Sequence, residues 1–157
     1  DQCPILISTK RMVHYMAKKE YFDGKFAWFF KLAGCIPVDR SKKDENAKNS
    51  GLEVLRNGEV LGLFPEGTRN RTENFLLPFK FGAVSMANKT DSYLVPFGIT
   101  GDYKFRSKNL KAKFGKPFKV PKNMDLSEAN KKLFKTVEKL MKENIKEYKN
   151  EKNNKRI

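Results

Sequence analysis

Histidine, cysteine and acidic residues are all scarce in this chain, and each scarcity removes a class of function. One histidine, His14, and two cysteines, Cys3 and Cys35, are too few for a His/Cys metal site, and no metal is expected. The cysteines read as buried free thiols of a reducing compartment. No run of about 18 apolar residues occurs, so no segment reads as a membrane-spanning helix. No secretory leader pattern is visible. Neither the P-loop nor the dinucleotide-fold glycine fingerprint is present. Asp and Glu number 18 against 33 Lys and Arg, a net charge of +15. That surplus points to an anionic partner: a phosphorylated metabolite, an acidic carrier protein, an anionic membrane or nucleic acid. No initiator methionine precedes Asp1-Gln2-Cys3-Pro4, and the chain is read as an N-terminally truncated fragment.

With 157 residues, 39% of them apolar and 32% charged, the chain suits one globular domain. Apolar runs alternate with amphipathic segments, the pattern of an α/β fold with a mixed, mostly parallel sheet flanked by helices. Residues 1–149 are assigned to that domain and 150–157 to a frayed basic tail. Strands are expected over Met12 to Met16, Cys35 to Val38, Val60 to Phe64 and Tyr93 to Ile99. Pro96 confines the last to an edge, a bulge or a strand end. Lys111 to Val120 alternates weakly, with a break at Gly115-Lys116-Pro117.

Helices are expected over Lys18 to Leu32, Asp44 to Arg56, Lys80 to Asn88 and from Asp125 onward. Gly34 reads as the C-cap of the first, and Ser41 with Asp44 as a capping box for the second. The first helix carries Tyr21, Phe22, Phe26, Phe29 and Phe30 at helical spacing. Such a stripe faces a core by default; Trp28 and the neighbouring lysines also suit a membrane boundary.

The residues that bear chemistry lie at strand ends. Val38-Asp39-Arg40 closes one strand and Phe64-Pro65-Glu66-Gly67-Thr68-Arg69 the next. Pro65 cannot donate to a sheet ladder, Gly67 lets the backbone turn or lie against a ligand, and arginine offers a planar fork of donors for phosphate. Ligands of open α/β sheets bind at the carboxyl ends of strands. If the two strands are neighbours, Arg40, Arg69 and the Thr68 hydroxyl converge on one phosphate site, with Lys80 as a further positive charge.

Gly34-Cys35-Ile36-Pro37-Val38-Asp39-Arg40, Phe64-Pro65-Glu66-Gly67-Thr68-Arg69, Leu77-Pro78-Phe79-Lys80-Phe81-Gly82-Ala83 and Leu94-Val95-Pro96-Phe97 occur in that order. Together they resemble the blocks of the 1-acyl-sn-glycerol-3-phosphate acyltransferases, the PlsC-type enzymes of the wider glycerolipid acyltransferase family. The likeness reaches from the amino terminus to about Ile99. It implies transfer of an acyl group from acyl carrier protein or coenzyme A to the hydroxyl of lysophosphatidic acid, giving phosphatidic acid, with no cofactor beyond the co-substrate thioester. It also implies a protein peripheral to, or anchored on, the cytoplasmic face of an anionic membrane.

By position, the likeness makes Arg40 and Arg69 phosphate-binding arginines and Glu66, Gly67 and Thr68 the acceptor loop. The family's base is a histidine followed after four residues by an orienting aspartate. No such pair occurs in this sequence. Asp1 stands where that aspartate is expected, which would put the histidine five positions before it. His14 lacks the partner carboxylate at that spacing and reads as a structural or surface residue, so the fragment is expected to be inactive.

Two rival readings remain. A non-catalytic module binding lipid or carrier would keep the phosphate site and lack the base. A basic nucleic-acid-binding domain fits the charge and the aromatic residues among lysines. No helix-turn-helix, zinc finger or RNA-recognition signature accompanies them, and no nucleic-acid partner is expected.

Overall fold

The computed structural model describes residues 9–39, 41–42, 44–102 and 109–154. Three parallel strands form its centre: β1 (Val13–Lys18), β2 (Ile36–Val38) and β3 (Val60–Gly62), in the order β2-β1-β3. Met16, Ala17 and Lys18 pair with Ile36, Pro37 and Val38, while Val13, His14 and Tyr15 pair with Val60, Leu61 and Gly62. Parallel neighbours need crossover connections. The first runs through a 3-10 helix (Lys19–Phe22) and α1 (Ala27–Leu32), the second through α2 (Glu45–Arg56).

Beyond β3 come α3 (Gly82–Thr90), an antiparallel ribbon of β4 (Phe97–Thr100) and β5 (Lys111–Phe114), and α4 (Leu126–Asn154). The α/β class with a parallel sheet flanked by helices therefore holds. Its hydrogen bonding divides among the described residues into a three-stranded parallel sheet and a two-stranded ribbon.

Two apolar clusters hold these parts together. Val84 and Ala129 are fully buried where α3 meets α4, with Phe79, Ala83, Ala87, Val120 and Leu133 around them. The alanines let the two helices approach closely. Val13 and Tyr15 of β1 pack with Cys35, Val60, Phe97, Ile99 and Ala112, which seats the ribbon beside the sheet. Burial raises the Cys35 thiol above its ordinary pKa, in keeping with an inert packed sulfur. Buried Asn144 donates to the Gly98 carbonyl at 3.0 Å, tying α4 to β4. A methyl group at Gly98 would lie 2.8 Å from Cγ of Met141, so only glycine admits α4 this close.

Five sequence expectations change. The helix expected over Lys18–Leu32 is a short 3-10 helix, a bend at Asp23-Gly24 and a six-residue α1. Glycine at the bend interrupts the helical run, and Tyr21 stacks back on Phe30 at 5.2 Å between centroids. Gly34 does close α1, in a left-handed conformation with Cys35 N–H on the Phe30 carbonyl and Gly34 N–H on that of Lys31. The capping box at Ser41 is absent. Asp44 itself caps α2, accepting from Ala47 N–H at 3.0 Å and from Asp39 N–H at 2.9 Å, while Ser41 donates to Asp39.

β3 ends at Gly62 rather than Phe64, since Pro65 cannot extend the ladder. In the fourth strand the ladder starts only at Phe97, after buried Pro96, and Leu94 makes an isolated bridge to Phe118. Finally, α4 runs to Asn154, past the start of the expected frayed tail. Lys111 of β5 holds Glu151 at 2.5 Å and so fastens this last turn.

Candidate active site

The strand order defines the place of the site. From β1 the chain steps to β2 on one side and then crosses to β3 on the other. The reversal leaves a topological switch point between β1 and β3, where α/β sheets open a crevice beyond the strand carboxyl ends. The Phe64–Arg69 segment leaves β3 at that point.

The chain turns there in a defined way. Gly67 N–H donates to the Phe64 carbonyl at 3.0 Å, closing a turn with Pro65 at its second position. Glu66 has negative φ, which excludes a type II turn and leaves type I. Gly67 follows at φ +69°, in the left-handed region. Phe64 anchors the turn, stacked on Tyr15 at 6.2 Å and edge-on to Phe97 at 5.8 Å.

A second segment is clamped onto this turn. One carboxylate oxygen of Glu66 accepts from Leu77 N–H at 2.8 Å, and the Pro65 carbonyl accepts from Lys80 N–H at 2.8 Å. The Lys80 side chain consequently lies across Gly67. A methyl at Gly67 would sit 2.9 Å from each of Cδ, Cε and Nζ of Lys80. From the far side, Asn130 of α4 donates to the Phe79 carbonyl at 2.9 Å, and Phe79 meets Phe134 edge-on at 5.0 Å. No local feature of the sequence marks Asn130 as a support of this segment.

Thr68, Arg69 and Lys80 are exposed, and no ion pair involves Arg69 or Lys80 among the described residues. Nor do the N–H groups of Thr68 and Arg69 bond to anything described there. An uncompensated guanidinium, an ammonium held over a glycine and two open amides beside it make a concentration of donors suited to a phosphate dianion.

The expected meeting of neighbouring strand ends is corrected in one respect. β2 and β3 are not neighbours; β1 separates them, by roughly 10 Å across two strand spacings. Both end on the same carboxyl edge because all three strands are parallel. Asp39, just past β2, is held by Ser41 and Asp44, and its carboxyl lies below the ordinary range, chiefly through the Ser41 hydroxyl. Arg40 and Asp1 fall outside the described residues.

His14 is placed away from this edge. It sits four residues before the end of β1, about 13 Å along the strand. Its Nδ1 lies 2.8 Å from the Gly34 carbonyl and its Nε2 3.2 Å from Glu59, both at the amino edge of the sheet. With both ring nitrogens engaged there, His14 joins three strand starts and is not positioned as a base for the loop. Among the described residues no group of histidine, cysteine, aspartate or glutamate could hold a metal ion.

The fold and the edge site together define an α/β domain with a cationic turn at the carboxyl edge of a parallel sheet. The crystal structure of a 1-acyl-sn-glycerophosphate (LPA) acyltransferase, PlsC, from Thermotoga maritima superposes with a TM-score of 0.71, covering 90% of this chain and 60% of that one at 24% identity, a likeness of fold. The sequence model of the Acyltransferase family matches residues 4–100, and the chain belongs to that family. A 1-acyl-sn-glycerol-3-phosphate acyltransferase of Bacillus subtilis is 34% identical over 110 residues, 67% of this chain and 54% of the relative. One from Saccharomyces cerevisiae is 44% identical over 77 residues, 46% of this chain and 25% of the relative. The chain thus spans about half the length of the Bacillus relative it matches.

Proposed function

We propose that the Phe64–Arg69 turn, with Lys80 across Gly67, binds the phosphate of lysophosphatidic acid for acyl transfer to its free hydroxyl. The observation that carries this reading is the pair of uncompensated cations around a left-handed glycine at the β1/β3 switch point. In the reaction, the acceptor oxygen attacks the carbonyl of an acyl-carrier-protein or coenzyme A thioester. A base takes the hydroxyl proton, the carbon–sulfur bond breaks and the sulfur leaves as a thiolate that the protonated base reprotonates, so that phosphatidic acid and a free thiol form. Arg69 and Lys80 anchor the acceptor; by the family resemblance Arg40 is a further phosphate-binding arginine and Asp1 the carboxylate that orients the base. The excess of positive charge favours an acidic carrier protein and the anionic cytoplasmic face of a membrane. Among the described residues no helix is long and apolar enough to cross a bilayer.

A second reading is favoured by His14, locked between Gly34 and Glu59: these 157 residues bind the acceptor without turning it over. An assay of the chain with lysophosphatidic acid and either thioester tests both points. Acceptor binding without product formation is the expected result. Product formation that His14→Ala abolishes would contradict the assignment of His14.

A further inference from the structure

The aromatic stripe of the first crossover is not buried. Neither the 3-10 helix Lys19–Phe22 nor α1 contains a buried residue. Tyr21, Phe26, Trp28, Phe29 and Leu32 are 53%, 70%, 63%, 53% and 73% exposed. Tyr21 stacks on Phe30, Phe22 meets the same ring tilted, and Phe30 and Trp28 each meet Phe29 edge-on, so the rings form one cluster rather than scattered side chains. A contiguous apolar surface of this kind marks an interaction site.

We propose that this cluster is a membrane-docking surface that inserts into the headgroup region of an anionic bilayer. Three observations select a lipid occupant. Trp28 and Tyr21 are ring types that favour the membrane–water interface. Lys18, Lys19, Lys25 and Lys31 border the rings; the acids within the segment are Glu20, already held by Lys18 at 2.7 Å, and Asp23, with Asp39 of the β2 end near Lys19. Exposed lysines beside apolar rings suit anionic headgroups. The segment also starts directly after Lys18, at the sheet edge from which the Phe64–Arg69 turn emerges. Docking there brings the acceptor loop to the surface where a lysophospholipid resides. This third argument rests on the acceptor reading; the first two do not.

Trp28 is the only tryptophan of the chain, so its fluorescence reports this surface directly. The probe is a titration with vesicles of phosphatidylcholine alone and of phosphatidylcholine with phosphatidylglycerol, some brominated along the acyl chains. The expected result is a blue shift of Trp28 emission with the anionic vesicles, quenching by shallow bromines, and little response to the neutral ones. Replacing two exposed apolar side chains, Phe26→Ala with Leu32→Ala, lowers the partition coefficient by about tenfold or more. Circular dichroism confirms that the variant is folded; should it not be, quenching in the wild type decides alone.

Vesicle binding that leaves Trp28 emission unchanged would overturn the proposal, as would failure to bind anionic vesicles. Emission already blue-shifted without lipid would assign the face to a second copy of the chain. None of these readouts needs acceptor binding or turnover, so failure of the docking surface and failure of the acceptor reading are told apart.

Discussion

Glu66 joins the Phe64–Arg69 turn to the Leu77–Lys80 segment through one hydrogen bond from Leu77 N–H. Glu66→Ala leaves that amide without its partner and costs about 1 kcal/mol, whereas Glu66→Gln keeps an acceptor and costs less. Urea denaturation of the two variants checks the order. Gly67→Ala acts differently. It forces a side chain into a left-handed conformation, at roughly 1 kcal/mol or more, and pushes against the Lys80 alkyl chain. It is expected to weaken phosphate-ligand binding beyond its effect on stability, measured as Kd beside the urea midpoint. At this scale much was legible. Pro65, Gly67 and Arg69 declare a strand end that turns and carries a cation, because each residue type has a narrow conformational or chemical use. The bracing by Asn130 was not legible. One asparagine in a lysine-rich helix gives no sign that it reaches the Phe79 carbonyl, 51 residues away in sequence.

The elements have their own dependences. Asp44 caps α2 and also receives Asp39 N–H, and both carboxyls ionise more readily than usual: Asp44 chiefly through Ala47 N–H, Asp39 chiefly through the Ser41 hydroxyl. Their folded pKa values lie below the unfolded ones of about 4. The stability they lend is therefore complete above that range and lost as pH falls through the lowered folded values. Asp44→Ala is expected to lower the thermal midpoint at neutral pH and to flatten its acid dependence, as followed by circular dichroism.

At the β5–α4 seam, Lys113 meets Glu143 at 3.0 Å and Glu147 at 2.5 Å. Lys113 is raised and Glu147 lowered, each chiefly by their shared hydrogen bond. Lys113→Ala is expected to be mildly destabilising at low salt and nearly neutral at high salt, because exposed ion pairs are screened. Thermal melts at two ionic strengths measure this. Element types were readable where periodicity was long, as in α2 and α4. The aromatic run of Lys18–Leu32 misled in extent, since helical spacing does not show where Asp23-Gly24 breaks the chain or whether a partner covers the exposed face.

For the whole molecule, the strand order is what the sequence could not supply. Nothing local states that β1 lies between β2 and β3, because parallel pairing follows from long crossovers. That order nevertheless turns two separate strand-end motifs into one carboxyl edge, and it places the Gly67 turn at the switch point. It also removes His14 to the opposite edge, away from the Phe64–Arg69 turn.

The proposed function depends on whether the Gly67 turn and its cations hold an acceptor phosphate. Calorimetric titration of the chain with a short-chain lysophosphatidic acid, with Arg69→Ala and the matching uncharged monoacylglycerol as controls, measures this directly. Loss of a charge-assisted contact predicts a Kd raised by about tenfold or more in Arg69→Ala, with no measurable affinity for the monoacylglycerol. An Arg69→Ala chain that binds lysophosphatidic acid as tightly as the wild type would contradict the assignment.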